Sequence, residues 1–183
     1  PAREQPLAVA RRLAANRRNR DVHARFQDRA RDQRAALDDL DLAADDATFR
    51  SVTTIRFTSR GGPTFVDLKP ARVNEIRFNG AVLDVELLQR GRLPLQTTEG
   101  DNELVVDAVM RFRNDGEGLH RSTDPADGES YVYGMMFMDA APSVFACFDQ
   151  PDLKAPYTVH VRAPRDWTVI ANAPGTNPEP GVW

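Results

Sequence analysis

Residues 144–172 read VFACFDQPDLKAPYTVHVRAPRDWTVIAN, and the fold is decided in this stretch. Phe145, Ala146 and Phe148 surround Cys147, the one cysteine of the chain. A thiol among apolar neighbours and without a recognisable His partner packs as a small hydrophobe rather than acting as a nucleophile. Asp149 and Asp152 flank Pro151, a spacing that closes a turn or accepts backbone N–H bonds, with Lys154 as a local ion-pair partner. Two strands follow, at residues 157–162 and 167–171. In the first, Tyr157, Val159 and Val161 take one face and Thr158, His160 and Arg162 the other, which makes His160 a solvent-facing strand residue.

Working outward, the period of two continues upstream. In residues 48–57, TFRSVTTIRF, Phe49, Thr53, Ile55 and Phe57 alternate with Arg56 and Thr58, with Val52 breaking the pattern. Arg60-Gly61-Gly62-Pro63 is expected to turn the chain, and residues 64–68 to form a short strand. Residues 73–78 lead into Asn79-Gly80, a hairpin signal because both residues tolerate the positive φ of a type I′ turn. The clearest alternation is in residues 103–112, with Leu104, Val106, Ala108, Met110 and Phe112 on one face. A further strand is expected at residues 131–138. Asp124 to Gly128 reads as a turn, and His120 as a residue that hydrogen-bonds within its loop. These patterns predict a mainly β, mostly antiparallel sandwich or curved sheet.

The net charge of −3 conceals an asymmetry. Residues 1–34 hold ten arginines against four acids, a balance of +6, which leaves −9 for the rest. Leu7, Ala10, Leu13 and Ala14, then Val22, Phe26 and Ala30, recur at helical steps, so residues 1–37 are expected to form a basic helical arm. The β body would then occupy residues 38–183, its first strand reduced to a stub around Leu40 and Leu42 in DDLDLAADD. Arg11, Arg12, Arg17, Arg18 and Arg20 are candidate contacts to a polyanion, so residues 1–34 are a candidate nucleic-acid arm. A solvated helix folding against the acidic body is the alternative.

With 183 residues, 41% of them hydrophobic and 28% charged, the chain can bury a core as one domain. No apolar run approaches the roughly 18 residues that span a bilayer, so no membrane association is expected. A single cysteine forms no internal disulfide, which points to a reducing, cytoplasmic setting.

Residues 144–155, together with NDGEGLHRSTDPADGESYVY at 114–133 and TFRSVTTIRF at 48–57, resemble the N-terminal domain of the aminopeptidase N family of zinc metallopeptidases, actinobacterial type. The resemblance refines the fold to that family's saddle-like β domain. It implies a structural role for Phe145, Cys147, Phe148, Asp149, Pro151 and Lys154, which pack the domain together and against a catalytic domain. It also implies that Met135 and Phe137 occupy former substrate-cleft positions, where the family pattern carries Gln and Glu near the bound amino terminus. Neither replacement accepts a hydrogen bond from an ammonium group in the usual sense. The family's Ala-Arg-Arg here reads Ala141-Pro142-Ser143.

The family's zinc site is a helical H-E-x-x-H with a distant Glu. The histidines of this chain are His23, His120 and His160; none precedes a Glu, and no two are four apart. No catalytic or metal-ligating residue is therefore assigned, zinc is expected only in full-length family members, and the chain is read as a fragment or a shortened relative that is not itself an enzyme. Three readings follow. The first is a non-catalytic interaction module that binds a protein partner or a second copy through the apolar strand. The second is the N-terminal piece of an aminopeptidase that removes N-terminal residues from peptides, and the third a nucleic-acid-associated protein. Dialysed against buffer, the isolated chain is expected to retain no stoichiometric zinc and to leave amino-acid anilides intact. Metal analysis and an anilide assay check this, and turnover abolished by a chelator would contradict it.

Overall fold

The computed structural model describes residues 30–43, 47–137, 139–150 and 152–183, with the side chains of 30–34 left aside. The arginine-rich segment 1–29, including Arg11, Arg12, Arg17, Arg18 and Arg20, lies outside the described residues, and so do Met138 and Pro151.

Two strands form the spine. β2 (Thr48–Asp67) and β5 (Arg92–Arg111) each run twenty residues and pair antiparallel from Thr48↔Arg111 to Asp67↔Arg92. Phe49, Ile55 and Phe57 of β2 and Leu104, Val106, Ala108 and Met110 of β5 all turn inward, as their alternation predicts. On the other face Arg50 pairs with Asp107 at 2.8 Å and Arg56 with Glu103 at 2.8 Å. Such exposed pairs contribute at most about 1 kcal/mol each, so stability lies in the buried face.

The expected reversal at residues 60–63 is instead a bend inside β2. Gly61 and Gly62 adopt φ of 80° and 108°, Gly100 opposite Ser59 has 93°, and the ladder resumes at Gly62↔Thr97. The Thr97 hydroxyl donates to Gly62 O at 2.8 Å and lies 2.7 Å from Ser59 Oγ, clamping the two strands across the bend. A partner strand hydrogen-bonded on both sides of the glycines keeps the chain going where the local signal alone reads as a turn.

β3 (Arg72–Phe78) and β4 (Ala81–Leu83) form the predicted hairpin, with Asn79 and Gly80 at φ 50° and 82°. β6 (Gly118–Thr123) and β7 (Ser130–Met135) form a separate two-stranded antiparallel sheet. β7 ends two residues short of Phe137, so the strand expected through residue 138 is corrected. β8 (Tyr157–Arg162) completes a six-stranded sheet in the order β4-β3-β5-β2-β1-β8.

The first strand is not a stub. β1 (Ala30–Asp41) has twelve residues, antiparallel to β2 and parallel to β8. The helix expected through residue 37 is therefore corrected over residues 30–37. Ala36, Asp38 and Leu40 turn inward at period two, and the open edge of β2 offers a ladder, which outweighs the helix propensity of alanine and arginine. The parallel β1–β8 pair makes the sheet mixed rather than all antiparallel. Residues 167–171 form no strand; Pro164 and a turn at Arg165-Asp166 precede them, and Trp167 and Val169 pack irregularly against the core.

Only one face of the large sheet carries the core, and residues 139–150 with the β6–β7 hairpin cover it. Val144, Ala146 and Phe148 are buried there, with Phe148 edge-on to Phe57 at 5.1 Å between ring centroids. The segment is fastened by Asp67 N–H to Cys147 O at 2.8 Å and Cys147 N–H to Asp67 O at 3.1 Å. Leu104, 0% exposed, lies at the centre of this layer, so Leu104→Ala is expected to cost about 2–5 kcal/mol in urea unfolding. Val82→Ala, at a position 61% exposed, should stay within about 0.5 kcal/mol. Equal midpoints for the two variants would place the core elsewhere.

Candidate functional site

Four side chains at every second position, Tyr131, Tyr133, Met135 and Phe137, stand exposed along one side of β7 and its continuation. Val132, between them, packs against the core, and Leu119, paired with Gly134, is buried. The hairpin therefore spends its inner face on the core and leaves an outer apolar stripe, about 13 Å long from Tyr131 to Met135 at the usual rise per strand residue, with Phe137 exposed in the turn beyond it. Met135 is 43% exposed and Phe137 69%. Met136 packs against the core, in keeping with Met135 and Phe137 sharing the outward side. Tyr131 and Tyr133 are the members that the sequence reading missed, although they stand in the same register two and four residues before Met135.

The stripe is held by its neighbours. Tyr133 stacks on His120 with centroids 4.7 Å apart, the two lying opposite each other in the β6–β7 register. His120 Nδ1 accepts the Gly116 N–H at 3.0 Å, so its neutral ring carries the proton on Nε2. His120 is thus the loop-organising residue expected. The loop before β6 is tied by Arg113, which pairs with Asp115 and, at 3.0 Å, with Glu117. That guanidinium holds the Asp115 carboxyl down to about 2. Tyr131 donates to Asp127 Oδ2 at 2.8 Å, and Asp124 Oδ1 accepts the Ala126 N–H at 2.8 Å, closing the expected turn.

The stripe meets the covering segment at Asp139, whose φ is 51° and whose carbonyl accepts from Lys69 Nζ at 3.0 Å. Next to it a cavity of about 750 Å³ is lined by Asp67, Lys69, Arg90, Arg92, Asp139 and Asp149. Pro142 and Ser143 are buried, and a Cβ on Gly118, at φ 63°, would lie 2.5 Å from Ser143 Oγ. Gly118 is therefore the contact through which the hairpin seats on the covering segment.

Of the residues assigned a structural role by resemblance, Cys147 and Phe148 are buried and Phe145 is half-buried against Tyr157 at 5.7 Å. Burial, with Asp149, Asp67 and Asp38 nearby, pushes the Cys147 thiol up, which suits packing and not nucleophilic chemistry. Beside Cys147, Gln150 N–H donates to Phe148 O at 2.7 Å and Leu153 N–H to Gln150 O at 3.0 Å. Asp149 faces the cavity near Asp139, and Lys154 is exposed. His160 is exposed and 2.8 Å from Asp39. Among the described residues no three His, Cys, Asp or Glu side chains converge as a metal site. The donor set does not fit zinc, and no step through a metal is derived.

Set against known proteins, residues 33–181 match the Peptidase M1 N-terminal domain. The chain is 45% identical over 151 residues, 79% of its length, to Aminopeptidase N of Streptomyces lividans. It is 34% identical over 80 residues, 43% of its length, to Probable M1 family aminopeptidase 2 of Encephalitozoon cuniculi. It spans 18% of the first relative and 9% of the second. Yeast LTA4 hydrolase in complex with Bestatin shares the fold with a TM-score of 0.61 at 18% identity, over 73% of this chain and 23% of that one. Legionella pneumophila aminopeptidase A in complex with aspartic acid does so at 0.61 and 14% identity, over 73% and 16%. A mixed β domain built on a clipped covering segment defines the class, and the chain belongs to the M1 peptidase N-terminal domain family. Among the described residues no helix is long and apolar enough to cross a membrane.

Because Met135 and Phe137 support no core contact on their outer side, the double change Met135→Gln with Phe137→Glu is expected to leave the melting temperature within about 4 °C of wild type. It should also narrow the size distribution in light scattering by removing exposed apolar area. Unfolding of the double variant would make both residues core residues.

Proposed function

We propose that this domain works as the N-terminal domain of an M1 aminopeptidase, with zinc held by another domain, and that Tyr131, Tyr133, Met135 and Phe137 form the wall it offers to the peptide. The observation that carries this reading is the open apolar stripe on a domain whose other large apolar groups are mostly buried, in a chain 45% identical to Aminopeptidase N of Streptomyces lividans. What this chain contributes is contact, orientation and exclusion of water. Thioether and phenyl groups at 135 and 137 give an apolar side chain a surface to cover, while leaving the peptide's ammonium group to acceptors elsewhere. The substrates favoured are peptides with an apolar first residue, and the setting is the cytoplasm, in keeping with one buried thiol and no disulfide.

The same stripe supports a second reading, in which the domain is a non-catalytic module that binds a protein partner or a second copy. The apolar character of Met135 and Phe137, where the family pattern carries Gln and Glu, favours it.

Replacing the N-terminal domain of the Streptomyces lividans enzyme by residues 33–181 separates the two readings. The chimera is expected to hydrolyse leucine and phenylalanine anilides in preference to alanine anilide, and Met135→Gln with Phe137→Glu to reduce that preference by about tenfold. A folded chimera without activity would favour the module instead.

A further inference from the structure

Asp38 is a carboxyl group in the wrong place for a soluble domain. It is 0% exposed, on the inward face of β1, paired in register with Thr53 of β2 and Val159 of β8. Among the described residues neither of its oxygens has a partner at full hydrogen-bond geometry, and the nearby Thr53 hydroxyl gives only partial relief. Thr53 Oγ1 accepts the Ala146 N–H at 3.3 Å, which leaves its O–H to point at Asp38 and favour the ionised form in part. A buried carboxylate with so little hydrogen bonding is costly, and a neutral carboxylic acid is the inexpensive alternative.

The groups around it do not relieve that cost. Asp39 on the same strand adds a like charge, and burial is the larger effect; together they carry the Asp38 carboxyl up to about 7. Tyr157 from β8 and Cys147 from the covering segment face it, and burial pushes both of their acid groups up, so neither supplies a countercharge. Asp67, Asp149 and Lys69 lie further round, acting on Cys147. On the outer face of the same seam, Asp39 meets His160 at 2.8 Å, an ion pair only while the imidazole is protonated.

β8 is weakly held otherwise. It has six residues, and Tyr157 and Val159 leave about half of their surface open. Beyond β1, its other described backbone partner is the strip 181–183, through Val161 N–H to Trp183 O at 2.8 Å and Trp183 N–H to Val161 O at 2.9 Å. We propose that the β1–β8 seam is a proton-operated latch, in which β8 and the strip paired to it stay seated while the buried Asp38 is protonated, and come away when it loses its proton. The seated state binds a proton that the open state releases, so seating is strongest at acid pH and is lost as pH rises towards and through neutrality. A cavity of about 590 Å³, lined by Asp39, Arg50, His160, Arg162 and Trp183 among others, straddles the seam and opens with it.

Hydrogen exchange of the full chain between pH 5 and 8.5, corrected for intrinsic rates, tests this. Protection of residues 157–163 is expected to fall across that range by about a hundredfold, most of it between about pH 5 and 7, while protection along β2 and β5 holds. Asp38→Asn should remove most of the pH dependence, and Asp38→Val should keep β8 protected throughout. His160→Gln should leave that dependence in place. Flat protection in the wild type, wild-type dependence in Asp38→Asn or Asp38→Val, or its full loss in His160→Gln would overturn the latch.

Discussion

The structure depends on a single constraint: a six-stranded sheet whose fully buried side chains lie mostly on one face has to be covered there. β2 and β5 pair over their whole length, which places Phe49, Ile55, Phe57, Leu104, Val106 and Met110 on one surface and arginines and acids on the other. No long helix is available to cover that surface among the described residues. The cover is a loop-rich segment, and a loop can seal a core only if its backbone groups are satisfied. The Asp67–Cys147 bridge, the Lys69 N–H to Pro142 O bond at 2.7 Å and the Ala146 N–H bond to Thr53 satisfy them. This explains why Phe148 and Cys147 matter physically: they are the points at which an irregular segment becomes part of the sheet's second layer.

Legibility in the sequence follows the range of the interaction concerned. The Asn79-Gly80 hairpin and the alternation in β5 are local, and both are present where the sequence places them. β1 was not legible, because residues 30–37 favour a helix on their own and become a strand only beside β2. The same holds for Gly61-Gly62, whose positive φ angles serve a turn equally well until a clamped partner strand is known. The parallel β1–β8 pair joins residues over a hundred positions apart, and no local pattern encodes that.

The candidate site was half legible. Met135 and Phe137 were marked by departure from the family pattern, but Tyr131 and Tyr133 were passed over because aromatic residues in a strand read as core. Their exposure follows from the hairpin, whose inner face is already taken by Leu119 and Val132. β6–β7 is a separate two-stranded sheet, and among the described residues its outer tyrosines and Met135 stay exposed.

Asp38 shows the opposite failure. In the run DDLDLAADD a carboxylate looks like surface, yet strand alternation allots Ala36, Asp38, Leu40 and Leu42 to the buried side. Ser51 and Thr53 lie on the same face of the neighbouring strand, so the core loses its apolar character towards the β8 edge. Ser51 Oγ has no hydrogen-bond partner among the described residues, and Asp38 has little beyond the Thr53 hydroxyl. A sheet that is apolar at its β5 centre and polar beneath one edge has unequal holding power across its width. Loss of structure should therefore begin at β8, far along the sheet from the hairpin at Asn79-Gly80, and the edge that opens first is the one where a buried proton decides the balance.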